Sequence, residues 1–478
     1  MMRKIKVLNQ LFIFAIYIFI AGQATANNIS VSNATITAQN TSAQTCNVEF
    51  DISWENSWRH VVNYDASWVF IKYSTDGGNT WAHATLKSSG TNPANFSRGT
   101  GTLLDIVVPA DKKGAFLRRS ANGAGTISTT DVQLVWDWGA SGLSGGNTAR
   151  VKVFAVEMVY MPQGAFYAGS GGTGTNEFTL TQITTPNAGV AGGYPTGQTA
   201  PNSSWSNGYT AFYVMKYEIS QQQYVDFFNT LTNAQKTERD ITGNHVTYSG
   251  KNSDAEVYRN TISWSSGNAS AGANSNVACN YICWADLIAY ADWAALRPMS
   301  ELEFEKSCRG MANAIPNEYP WGNIVITQAE GPVQNSGAVN ETASTIGDGL
   351  CNYNGTGTDI GAPLRCGFAS TSDTTRRGAG AGYYAVMELG GNVWERPVTI
   401  ADATGRAFTG ANGDGALSAN GDANTSNWPG TDAVGSGLRG GGCDSLATSV
   451  YASDRSLADS TAVHRYYYSG GRCVRTAP

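Results

Sequence analysis

Oxidation at sulfur needs a thiolate, and holding copper(I) for such a reaction needs two thiolates on one ion. The chain has eight cysteines, of which Cys279, Cys283, Cys308, Cys351, Cys366, Cys443 and Cys473 fall in its second half. Near the end, Cys443-Asp444-Ser445-Leu446-Ala447-Thr448-Ser449-Val450-Tyr451 holds one thiol, at its start. Cys279 and Cys283 stand four positions apart but far from that stretch. The four histidines, His60, His83, His245 and His464, are scattered, so the sequence spells out neither a zinc cluster nor a histidine facial set for iron.

A wider set of motifs surrounds that lone thiol. Gly391-Asn392-Val393-Trp394-Glu395 is followed by Leu438-Arg439-Gly440-Gly441-Gly442 and by Gly470-Gly471-Arg472-Cys473-Val474-Arg475. Upstream lie Met158-Val159-Tyr160-Met161-Pro162 and Tyr319-Pro320-Trp321-Gly322-Asn323. Together these resemble the formylglycine-generating enzyme (sulfatase-modifying factor) family. The resemblance implies an α+β, loop-rich, C-type-lectin-like fold. It implies calcium held by Asn392, the Val393 carbonyl and Glu395, and a second ion near Asn352, Tyr353 and Asp359. Hard cations take six to eight such oxygens, which turn-rich backbone supplies. Oxidases of the family bind copper with two cysteines near the chain end, and Ser445 and Val450 fall about where those would stand. No copper is therefore expected, and a non-catalytic binding or structural role is read ahead of an active cysteine oxidase. In relatives the terminal segment lines the substrate cleft. Arg455, Arg465, Tyr466, Tyr467 and Tyr468 are the candidate contacts there for a peptide, a glycan or a neighbouring subunit, including a second copy of this chain.

Particular elements must position these groups. Val48, Phe50, Ile52 and Trp54 alternate with polar residues, as do Val69-Ile71-Tyr73, Val132-Leu134-Trp136-Trp138 and Val151-Val153-Ala155. Period-two runs with turns such as Asp76-Gly77-Gly78-Asn79 between them predict an all-β sandwich of immunoglobulin or fibronectin type over 27–155. From 156 to 478 the pattern changes. Ser220 with Gln223 makes a capping box ahead of a stripe at Tyr224, Phe227, Phe228 and Leu231. A second helix is expected from Trp284 to Leu296, and a third from the Ser300 and Glu303 cap to Cys308. Residues 401–437 read as surface turns.

Composition places the molecule. With 14% charged residues, 55 glycines and a net charge of -6, the chain is folded and turn-rich, with no basic excess for nucleic acid. Arg3, Lys4 and Lys6, the apolar stretch Leu11 to Ala21 and Ala24-Thr25-Ala26 read as an export signal over 1–26. Export leads to the periplasm, cell surface or extracellular space, where thiols pair. Among many connectivities, Cys279 with Cys308, Cys351 with Cys366, and Cys443 with Cys473 are the candidate disulfides.

Overall fold

The computed structural model describes residues 28–144, 148–192, 204–355, 360–371 and 375–478. The expected export signal and Asp359 lie outside them. The molecule is sheet-rich with few helices.

The strand Thr45–Arg59 shows why alternation forms a sheet. Val48, Phe50, Ile52 and Trp54 are buried, while Asn47, Glu49, Asp51 and Ser53 between them are half-exposed. It pairs with Ser30–Asn40 on one side and Gly123–Asp137 on the other, and Ser97–Gly101 completes a four-stranded sheet. A second sheet has nine strands. Its path runs Arg297–Pro298, Cys473–Thr476, Phe212–Met215, Arg150–Met161, Asp65–Ser74, Ala115–Arg119, Leu104–Val108 and Gly90–Thr91, with Ala82–His83 paired to one side.

Asp65–Ser74 is buried along its whole length. Val69, Ile71 and Tyr73 pack with Val48, Phe50, Leu134 and Trp136 in a core between the two sheets. Ala66, Trp68 and Phe70 face the opposite way, into the largest core, with Phe227, Leu287 and Trp293. The expected separate sandwich is thus redrawn, because its second sheet does not end at its own edge. Arg150–Met161 pairs residue for residue with Asp65–Ser74, from Arg150 opposite Ser74 to Val159 opposite Asp65, and also with Phe212–Met215. The border expected at 155/156 falls inside this strand.

Four helices of seven residues or more pack around that sheet among the described residues. α1, Gln221–Phe228, begins at the Ser220 and Gln223 capping box and buries Tyr224, Phe227 and Phe228. α2, Asn233–Arg239, was not anticipated and carries its own capping box from Thr232 and Gln235. α3, Trp284–Trp293, ends before Leu296, because Ala295 turns into left-handed backbone at φ 54°. α4, Glu301–Arg309, begins at the Ser300 and Glu303 box and is buried on every side, charged residues included. Residues 401–437 hold one short helix, Ala403–Arg406, among turns.

The three expected disulfides are not formed; all eight cysteines are free and buried. Their partners sit in different clusters. Cys308 packs with Phe304 and Leu389, whereas Cys279 and Cys473 belong to the largest core. Cys351 lies against Trp321 and Val450, and Cys366 against Tyr217 and Val393. The Cys351 thiol donates to Gly390 O at 3.2 Å and the Cys366 thiol to Glu218 O at 3.4 Å.

Candidate functional site

The turn at 391–395 is fixed from both ends. Gly391 has φ +76°, and a Cβ there would stand 2.4 Å from Asn352 O and 2.5 Å from Cys351 Sγ, so only glycine fits. Asn392 N donates to Asn352 O at 2.8 Å. The Asn392 side chain is fully committed to protein partners. Its Oδ1 accepts from Leu364 N at 2.7 Å and from Asn352 Nδ2 at 3.0 Å, and its Nδ2 donates to Glu218 Oε2 at 2.5 Å. Glu218 also accepts from Val393 N at 3.0 Å. It thereby staples the approach to α1 onto the turn.

Asn392, an expected calcium ligand, thus spends its side chain within this network, and further buried oxygens nearby in sequence have no protein partner. Glu395 Oε1 accepts from Arg472 Nε, while its Oε2 is buried without a partner. Glu388 Oε1 accepts from Gly367 N at 2.9 Å, and its Oε2 is likewise buried without a partner. Asn352 Oδ1 completes the set. Burial pushes the Glu388 carboxyl up to about 7 and also raises Glu218 and Glu395. Arg472 pulls all three the other way, and neighbouring acids add to the rise at Glu218 and Glu388. Hard, uncommitted, acidic oxygens suit a cation such as calcium in chemistry. Among the described residues, however, no three His, Cys, Asp or Glu side chains group as a metal cluster, so backbone carbonyls would have to supply much of the shell. Tyr353 packs half-buried beside Trp321 and Cys351. Glu388, Glu218 and Arg472 were not singled out from the sequence. An acid inside the apolar run Val386-Met387-Glu388-Leu389 was the available signal for the first.

Beside the same turn, Trp394 N donates to Tyr468 O at 2.9 Å, and Glu395 exchanges backbone hydrogen bonds with Arg439 at 3.0 Å. These contacts frame a cleft of about 500 Å³ lined by Trp394, Arg396, Asp444, Ser445, Ser449, Tyr466 and Tyr468, among others. Of the five residues expected to bind ligand, two line it. Tyr466 and Tyr468 stack with centroids 5.1 Å apart and planes 16° apart. Tyr467 instead donates its hydroxyl to Asp444 Oδ2 at 2.6 Å and stacks on Tyr258.

The two arginines are structural. Arg455 is buried and grips Glu301 of α4 through Nε at 2.7 Å and Nη2 at 3.1 Å. Arg465 grips Asp286 of α3 through Nε at 2.7 Å and Nη2 at 2.8 Å, and its Nη1 donates to Asp240 O at 2.6 Å. Burial alone would raise Asp286, but Arg465 and Arg239 hold it below the ordinary aspartate value. Forks spent on internal carboxylates are not available to a ligand.

A sheet-rich fold closed by the 473–476 strand, with a glycine turn at 391 and a cleft beside it, defines the class. The family model described as a sulfatase-modifying factor enzyme 1-like domain matches residues 147–477, and the chain belongs to that family. It is 29% identical over 152 residues to the formylglycine-generating enzyme of Bos taurus, which is 27% of this chain and 40% of that relative's length. Among solved structures it aligns with PvdO from Pseudomonas aeruginosa at a TM-score of 0.32 and 16% identity, over 68% of this chain and 95% of that one. It also aligns with Treponema denticola variable protein 1 at 0.31 and 11% identity, over 67% and 96%.

Proposed function

We propose that the chain is an exported binding or structural protein whose sulfatase-modifying-factor domain works without the family's thiol chemistry. Its cleft beside residues 394–396 would take a peptide, a glycan or a neighbouring subunit. One observation carries this reading: the cleft wall offers the hydroxyls of Ser445, Ser449 and Ser460. Cys443 is buried, and burial with Asp444 pushes its thiol pKa well up, away from the reactive thiolate. Val450 lies in the core with Trp321.

The test offers the purified chain a Cys-x-Pro-x-Arg peptide with copper and oxygen. No aldehyde is expected, and turnover abolished by Cys443→Ser would overturn the reading. The similarity to the bovine formylglycine-generating enzyme favours that second reading, a cysteine oxidase. Light scattering of the secreted chain separates assembly from simple binding, because a filament subunit grows in mass with concentration.

Calcium belongs to the same proposal. Glu388, Glu395 and Asn352 would supply the side-chain oxygens, and the ion would neutralise acids that burial disfavours. Calcium should raise the melting temperature of the full chain, and Glu395→Gln should remove most of that rise. An unchanged melting curve at millimolar calcium sinks the site. No helix among the described residues is long and apolar enough to cross a membrane.

A further inference from the structure

We propose that Arg396 forms a carboxylate-binding subsite in this cleft and that the ligand is an acidic peptide segment flanked by apolar residues. This rests on the binding reading above. Arg396 directly follows the 391–395 turn, lines the cleft and is 1% exposed. Its Nη1 donates to Ala462 O at 3.1 Å, while Nε and Nη2 are buried with no partner in the protein. No other guanidinium among the described residues has two such nitrogens.

The identity of the two nitrogens matters. Nε and Nη2 form one edge of the planar fork, and two neighbours show what that edge does in this fold. Arg455 uses it to hold Glu301, and Arg465 uses it to hold Asp286, each with two hydrogen bonds to one carboxylate. Arg396 presents the same edge to no internal acid. Asp286 is taken up by Arg465, Arg239 and the Cys283 backbone. Asp444, the acid of the cleft wall, receives the Tyr467 hydroxyl. Asp286 reaches Arg396 only through its field, and a buried charged donor pair without a hydrogen-bonding partner is costly unless something arrives to meet it.

The surroundings favour a peptide as the bearer. The stacked Tyr466 and Tyr468 pair lines the same cleft as the cation. Leu446 at 66% exposure and Leu457 at 39% stand on the rim. Exposed leucines match apolar side chains next to a Glu or Asp, whereas a sugar acid would set hydroxyls against them.

The experiment measures anisotropy of two fluorescein-labelled heptapeptide pools against the full chain. Both pools carry randomised apolar flanks, with Glu at the centre of one and Gln at the centre of the other. The Glu pool should bind about tenfold to a hundredfold more tightly. Arg396→Lys, which keeps the charge but loses the fork, should remove most of that preference. Should that variant fold poorly by circular dichroism, Ser449→Trp leaves Arg396 in place, fills the cleft and should weaken the Glu pool just as strongly. Equal binding of the two pools overturns the carboxylate subsite and leaves the binding reading standing. Binding that Ser449→Trp does not disturb overturns the cleft itself. Binding of neither pool, or capture of uronic-acid oligosaccharides in their place, overturns the peptide assignment.

Discussion

Asp286 carries two guanidiniums, Arg239 at 3.3 Å and Arg465 at 2.7 Å, and the acid and both arginines have side chains with no exposure. Removing the acid leaves Arg465 buried without a counterion and Arg239 with Asp422 alone, so Asp286→Asn should destabilise by about 3–5 kcal/mol in urea denaturation. Its pKa is held below the ordinary 3.8 in the folded state, so the stability it gives is present above that pH and lost as pH falls below it. Acid denaturation of the Asn variant should accordingly show a shallower fall below about pH 4. This pair also explains why Arg465 was misread as a ligand contact. A charged residue in a Ser-, Thr- and Asp-rich terminal run looks solvent-facing, and its partner lies 179 residues away. Arg455 is hidden the same way, 154 residues from Glu301. Tyr466 and Tyr468, by contrast, stand in the cleft wall and stack on each other. The Asn392 side chain meets Glu218, 174 residues away, and nothing local to the turn announces that contact.

At the scale of elements, local chemistry was the most readable part. Ser220 with Gln223 and Ser300 with Glu303 are capping boxes in sequence and in structure. α2 escaped notice because Asn233–Arg239 has no apolar stripe, so periodicity is blind to it. The signal was the Thr232 and Gln235 box alone. Thr232→Ala should cost about 1 kcal/mol, read as a lower urea midpoint with unchanged slope. α4 shows the limit of pattern reading. Glu301 and Glu305 would ordinarily mark a solvent face, yet both are buried beneath Arg439, which reaches them at 3.0 Å and 2.9 Å. The loop bearing the cleft is thereby bolted to a helix, giving the cleft wall a rigid back.

Over the whole molecule, alternation correctly announced Thr45–Arg59 but undersold Asp65–Ser74. Both faces of the latter are apolar or internally paired, and a reading of Val69, Ile71 and Tyr73 saw one face alone. Trp68 on the other face is fully buried, donates its indole N–H to Ala294 O at 2.8 Å and lies 4.1 Å beneath the Arg475 guanidinium. Trp68→Ala should cost about 3–5 kcal/mol, with tryptophan fluorescence and far-ultraviolet dichroism still shifting together. Separate transitions for the two halves of the chain would contradict a shared sheet.

That sheet imposes an order of events on biosynthesis. A ribosome releases residues 65–74 well before their neighbour at 150–161 has been made. The segment 473–476, wedged between 212–215 and 297–298, emerges later still. Until it docks, the chain offers an open row of amides and carbonyls to any passing strand, so the interval before the last strand is made is when the sheet is most open to strand addition.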